Sequence, residues 1–462
     1  MQIQFFGATH EVTGSCYLIS VGKSKLLVEC GLVQGGREHE RHNSDEFPFS
    51  ANEIDAVVLS HAHIDHSGRL PLLVKRGFSG NIYSHSATVD LCDIMLADSG
   101  YLNEKNALWE NKKRERRGLE LIEPLYTKEQ AKQAQKHFRA MEYSQSKEIL
   151  PGIKITFRDA GHIIGSAIIE LELSEEGRTF KIVFSGDLGH ISAPILRDPE
   201  KISKADLVIM ESTYGDRLHR DWQNTLREMG DIISNAKSHK GNILIPAFTV
   251  GRTQELLYLL NQHYEEWNVG DWDIFLDSPM GIKATEVYSA HVETYDKQAK
   301  KLKHEDGKLF NLPNLHFSEK TNYSIKINQI KSGAIIIAGS GMCTGGRIKQ
   351  HLKHNIWRNH AHVMIIGFQA RGTLGRTLVD GAKEINLWGE RIQVNAKIHT
   401  VGGLSAHADQ QGLIDWYSQF ENHPKVVLVH GEPSAMDVLQ NELTERFSCN
   451  VIQADYKQIL TF

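Results

Sequence analysis

Short strand-like runs occupy residues 2–6, 16–21, 25–30 and 56–59, each bounded by glycine or charged turn residues, so the chain opens as a sheet. From about residue 88 to 143 the pattern turns helical and heavily charged, with Lys112-Lys113-Arg114-Glu115-Arg116-Arg117 at its centre. A solvated helix face is the economical reading of that run, and an RNA-binding patch is its rival. Strand-like runs return at 154–157, 168–173, 181–184 and 207–210, closing the first sheet-bearing region near residue 212. The rhythm then changes. Apolar runs at 243–246, 274–276, 334–338 and 363–366 are each followed by a loop and a helical pattern, and such repeated units predict a parallel sheet covered by helices. Two further units begin at 397–401 and 425–429. The expected class is α/β, with a first domain over 1–212, an inserted domain over 213–390 and a return segment over 391–462.

Length supports more than one core, since 462 residues exceed what a single core usually organises. The balance of 52 Lys and Arg against 57 Asp and Glu is mildly acidic, so nucleic-acid binding has to come from a local patch. Five cysteines, at 16, 30, 92, 343 and 449, are odd in number and scattered, which fits reduced thiols and a cytoplasmic setting. The first residues lack a basic start followed by an apolar core, and no apolar run reaches membrane-spanning length, so no membrane partner is expected.

The candidate chemistry is concentrated where apolar runs end. His61-Ala62-His63-Ile64-Asp65-His66 places three imidazoles and a carboxylate within six residues directly after the run 56–60. Imidazole nitrogen suits zinc, and a carboxylate adds a hard donor that a second cation can share. One such cluster cannot complete a two-ion site. Further donors stand at equivalent places: His162 within Ala160-Gly161-His162-Ile163-Ile164-Gly165-Ser166, Asp187 within Phe184-Ser185-Gly186-Asp187, Glu211 after Leu207-Val208-Ile209-Met210, His407, and His430 after Val426-Val427-Leu428-Val429. Each alone has an ordinary structural reading. Together they predict one shared edge.

These motifs resemble the metallo-β-lactamase fold nucleases of the β-CASP group, which include the mRNA 3′-end processing endonuclease and ribonuclease J. His61 to His66 looks like the second family motif, His162 the third and Asp187 the fourth, while Glu211, His407 and His430 fall on the three motifs that mark the β-CASP group. The nearest likeness is to the bacterial and archaeal RNA-processing exonuclease-like members, through Glu211-Ser212-Thr213-Tyr214-Gly215, Pro246-Ala247-Phe248-Thr249-Val250-Gly251-Arg252 and Gly372-Thr373-Leu374-Gly375-Arg376. Glu29 stands where the family usually has an aspartate that braces the histidine loop without binding metal. The resemblance implies an αββα metallo-β-lactamase sandwich interrupted by a parallel α/β β-CASP domain that supplies the substrate groove.

It further implies two Zn2+ ions: one on His61, His63 and His162, the other on Asp65, His66 and His430, with Asp187 between them. His407 would act as general acid, oriented by Glu211. The substrate implied is RNA, single-stranded, cut endonucleolytically or from the 5′ end, and the resemblance also admits a homodimer. Phosphate contacts are expected from Ser340, in a Gly-rich turn at a helix start, and from Arg252, Arg371 and Arg376 in equivalent loops. Rival readings are a DNA nuclease of the same fold, a small-molecule hydrolase, and an inactive scaffold of an RNA-processing complex. Family members specialised for DNA typically carry valine at the position of His430.

Overall fold

Successive residues of strand Leu207–Glu211 belong to two different cores, Leu207 and Ile209 to one, Val208 and Met210 to the other. Strand Lys425–Val429 repeats the division, with Val427 and Val429 on the first side, Val426 and Leu428 on the second. A strand buried on both faces reads as a continuous apolar run, which is how these two stand in the sequence. The computed structural model describes residues 1–35, 37–238, 241–307, 309–370 and 372–462, with Arg37, Glu38 and Asp306 described by backbone alone.

The chain divides into two units. The first comprises Met1–Ala193, Arg197–Leu218 and His407–Phe462, and the second Pro194–Leu196 with His219–Ala406. In the first unit two seven-stranded sheets face each other. Their inner faces share a core to which Ile3, Ile19, Leu26 and Val58 come from one sheet and Ile155, Phe157, Ile169 and Ile182 from the other. Helices Gln410–Tyr417 and Pro433–Phe447 cover the outer face of the second sheet through Leu413, Trp416, Leu439 and Leu443. Helix Ser86–Arg116 packs on strands Asn81–His85 and Phe138–Met141 of the first sheet. This is the αββα sandwich of the metallo-β-lactamase fold.

Strand pairing carries several loops to one edge. Strands Ser24–Val28 and Ala56–Val58 run parallel with Val28 opposite Val58, so Glu29 and Ser60 emerge side by side. In the second sheet Leu207–Glu211 lies parallel to both Arg178–Phe184 and Lys425–Val429, with Phe184 opposite Ile209 and Glu211 opposite Val429. Asp187, Glu211 and His430 therefore leave the same end of adjacent strands.

The second unit holds a six-stranded sheet in the order Leu315–Phe317, Asp273–Leu276, Ala334–Ala338, Ile243–Pro246, His362–Ile365, Lys397–Thr400. Every adjacent pair in it is parallel. Its own core gathers Leu244, Ile336, Val363 and Leu352.

One sequence expectation differs from this arrangement. The helical pattern read through residue 143 is interrupted after Arg116 and ends at Gln135, and Phe138–Met141 is a strand whose burial runs buried, exposed, exposed, buried, without the alternation that marks a strand. Lys397–Thr400 pairs with His362–Ile365 within the second unit's sheet, and the last segment of the first unit begins at His407. Among the described residues no helix is long and apolar enough to cross a membrane.

Candidate metal centre

The histidine loop is clamped by backbone before any side chain acts. Cys30 N–H donates to His66 O at 2.8 Å and Leu32 N–H to Ile64 O at 2.9 Å, drawing the segment after strand Ser24–Val28 against the loop. Gly31 lies between them, and a Cβ there would stand 1.6 Å from Asp65 O. Glu29, with a positive φ of 63°, turns its carboxylate under the loop. Its Oε1 accepts from Ser60 N–H at 2.8 Å and its Oε2 lies 3.2 Å from His66 Nδ1. The added methylene relative to aspartate thus still spans both partners. Gly161, φ 67°, lets the His162 loop turn close to Arg197 O, 2.5 Å from where its Cβ would lie.

Two donor sets result. His61 Nε2 and His162 Nε2 approach His63 Nδ1 at 3.1 and 3.2 Å, and Asp187 Oδ2 at 3.4 and 3.6 Å. In the second set His66 Nε2 lies 3.3 Å from His430 Nε2, and His430 Nε2 lies 3.5 Å from Asp65 Oδ2. Asp187 Oδ1 stands 3.3 Å from His66 Nε2, yet it is buried and takes no hydrogen bond among the described residues. An orphaned, buried carboxylate oxygen is costly unless a cation completes it. Imidazole nitrogens converging on one another, with a carboxylate oxygen among them, are likewise a donor set suited to zinc. The residues fit two ions.

Partners on the far side of three of the rings fix which nitrogen points inward. Ser60 Oγ contacts His61 Nδ1 at 2.9 Å, Glu29 takes His66 Nδ1, and Thr213 Oγ1 contacts His430 Nδ1 at 3.0 Å. Such contacts orient metal-binding rings. The sequence alone assigns no orienting role to Ser60 or Thr213, because a lone hydroxyl beside a motif carries no spacing of its own.

The electrostatics divide the rings. Burial, reinforced by His66, lowers His61 to about 3, and burial lowers His63 to about 4, so both are neutral donors. Burial would lower His66 too, but Asp187 and Asp65 reverse it and hold the ring protonated well above its ordinary range. Burial would raise Asp187; His430, His66 and His61 outweigh it and keep the carboxylate ionised. A cation arriving here would displace the His66 proton.

His407 stands apart. Its Nδ1 lies 3.3 Å from both oxygens of Glu211, and Glu211 Oε1 also accepts from Leu188 N–H at 2.6 Å. The backbone holds the loop in place, since Ala408 N–H donates to Leu188 O at 2.7 Å. Burial alone would lower His407, but Glu211 and then Asp187 raise it to about 9. Glu211 also falls in a third donor group with Asp187 and His430, but its oxygens already serve Leu188 and His407.

The residues expected to hold phosphate are placed differently. Arg252 is buried and ion-paired with Glu255, and Arg376 pairs with Asp380 at 2.9 Å. Ser340 Oγ accepts from the backbone N–H of Thr344 at 3.1 Å and of Gly345 at 3.3 Å, so these amides are engaged within the turn. Arg371 lies outside the described residues. Each of these three residues thus has an intrachain partner, through one guanidinium nitrogen of Arg252 and of Arg376 and through the hydroxyl oxygen of Ser340.

Family models match most of the chain: the metallo-beta-lactamase superfamily over residues 11–232, the Beta-Casp domain over 253–378, and a Zn-dependent metallo-hydrolase RNA specificity domain over 391–453. The chain is 36% identical to ribonuclease TTHA0252 of Thermus thermophilus over 96% of each protein. It is 31% identical to transcription termination factor FttA of Methanocaldococcus jannaschii over 94% of this chain, and spans 67% of that relative's length. In fold it resembles a crystal structure of a protein of unknown function from Enterococcus faecalis V583, with TM-score 0.57 and 12% identity over 100% of this chain and 99% of that one. With its donor loops on an αββα sandwich and its parallel α/β insert, this chain belongs to the β-CASP ribonuclease family of metallo-β-lactamase fold hydrolases.

Proposed function

We propose that this protein is a zinc-dependent ribonuclease that hydrolyses phosphodiester bonds of single-stranded RNA, leaving 5′-phosphate and 3′-hydroxyl ends. The observation that carries the reading is Asp187, whose Oδ2 faces His61 and His162 while its Oδ1 faces His66. Two ions would be held by His61, His63, His162 and Asp187 Oδ2, and by Asp65, His66, His430 and Asp187 Oδ1. Zinc bound there would supply Lewis-acid stabilisation of the phosphate charge and make an attacking water more acidic.

The protein's own residues supply the rest. Glu29, Ser60 and Thr213 hold the rings so that their donor nitrogens converge, which removes reorganisation from the reaction. His407 is protonated at neutral pH and gives its proton to the departing ribose 3′-oxygen as the P–O3′ bond breaks, while water supplies the new oxygen on phosphorus. Glu211, engaged at Nδ1, leaves Nε2–H as the donor of that proton.

RNA is favoured over DNA by the names of the ribonuclease relative and of the RNA specificity domain, and by a histidine at position 430. Matched RNA and DNA strands labelled at either end, digested with and without chelator, test the proposal. RNA cleavage that chelator abolishes and zinc restores is expected. Preferential DNA cleavage, or RNA cleavage indifferent to chelator, would overturn it.

A further inference from the structure

Helix Ser86–Arg116 runs well past the sheet it covers, and its last turns carry an unusual outer face. Tyr101, Leu102, Leu108 and Trp109 are 46, 50, 58 and 68% exposed. Lys105, Lys112, Lys113 and Arg116 are exposed beside them. At 100° per residue all eight fall within an arc of about 140°. Glu104 and Glu110 lie outside that arc and are partly buried, and Glu115 lies beyond its edge. The opposite side is occupied, since Asn111 exchanges hydrogen bonds with the backbone of Ile122, and Arg114 Nε donates to Glu120 O. The outer face is thus positive, aromatic and uncovered, on a chain of formal net charge −5.

We propose that this face is a docking surface for single-stranded RNA outside the metal centre, an inference that rests on the ribonuclease reading. Aromatic rings interleaved with cations suit a strand whose bases stack while its phosphates are neutralised. Tyr101 and Trp109 are eight residues apart, about 12 Å along the helix, so each ring takes its own base. Lys105 Nζ lies 5.2 Å from the Tyr101 ring and Lys113 Nζ 4.7 Å from that of Trp109, which brings charge to each stacking platform. A membrane surface fits less well. An interfacial helix separates its apolar stripe from its cations, whereas Lys105 and Lys112 fall inside this stripe, between Tyr101 and Trp109 around the helix. A second copy of the chain would bring like charges face to face.

The test is steady-state cleavage of long single-stranded RNA by the zinc-loaded protein, with bis(p-nitrophenyl) phosphate as a small diester that carries no bases to stack on this helix face. Tyr101→Ala and Trp109→Ala should each raise KM for RNA about fivefold to a hundredfold, leaving kcat and small-diester turnover unchanged. Each Lys or Arg changed to Gln on this face should reduce the slope of log affinity against log salt by about 0.7. Unchanged KM on RNA that the wild type cleaves overturns the docking surface alone. So does unchanged KM accompanied by lost binding to phosphatidylserine vesicles, or by lost dimerisation in light scattering. A wild type that cleaves no RNA strikes the ribonuclease reading instead, and fluorescence anisotropy of labelled RNA on the same variants then decides the surface separately: weakened binding supports it, unchanged binding removes it.

Discussion

His407 and Glu211 make the sharpest claim at the scale of single residues, because in the proposed mechanism neither holds a metal ion and both serve to protonate the leaving group. His407→Ala should keep full zinc stoichiometry and RNA affinity while kcat falls about 10²- to 10⁴-fold. Retained turnover would remove it from the reaction. Glu211→Gln tests the electrostatic link. His407 sits at about 9 because carboxylates outweigh its burial, Glu211 foremost. An imidazole raised by a carboxylate loses its proton at lower pH once that charge is gone, so the alkaline limb of the kcat profile should move down by about one unit or more. The donors themselves were legible in the sequence, since HxHxDH and the strand-end positions carry their own spacing. The orienting hydroxyls of Ser60 and Thr213 were not, because only the fold puts them against His61 and His430. For Arg252 and Ser340 the sequence shows a loop position but not the intrachain partner, Glu255 or the Thr344 amide, that the fold brings beside each.

At the scale of elements, the periodicity of buried runs revealed the strands that carry the site, while partners and register came only with the structure. Strand Leu207–Glu211 reads as an apolar run, but nothing in it says that Lys425–Val429, far along the chain, is its parallel neighbour. Short elements are hidden for the same physical reason: Asn81–His85 lies between two partner strands, Phe138–Met141 sits at the sheet edge paired with Asn81–His85, and both carry little alternation. The segment that meets the histidine loop shows how much one junction bears. Gly31 permits the hydrogen bonds of Cys30 and Leu32 to the loop, and a methyl group there collides with Asp65 O. Gly31→Ala should therefore destabilise the protein by about 1–3 kcal/mol or more, and loosen the Asp65, His66 and His430 set first. Zinc titration should show one weakened ion before any loss of the other. Equal weakening of both would mean that the loop moves as a block.

On the scale of the whole molecule, the metal-capable donor groups found among the described residues are collected in one unit and the second has a core of its own. His61, His66, His162, Asp187, Glu211 and His430 are all buried in the first unit, so without cations that unit contains converging donors and a carboxylate oxygen lacking a hydrogen bond. Ions that bind only the folded state stabilise it in proportion to the logarithm of their concentration over Kd, about 2.7 kcal/mol at a hundredfold excess. That stabilisation should be confined to the unit holding the donors. The parallel sheet of Ile243–Pro246, Ala334–Ala338 and His362–Ile365 contributes no group to either donor set and packs around Leu244, Ile336 and Val363. Hydrogen exchange before and after chelation should then separate the two. Amides at 60–67, 185–188 and 426–430 should lose protection when zinc is removed, while those of Ile335, Ile336 and Ile337 keep theirs. Parallel loss across both sheets would show that the units unfold as one, and that the metal centre stabilises the entire chain.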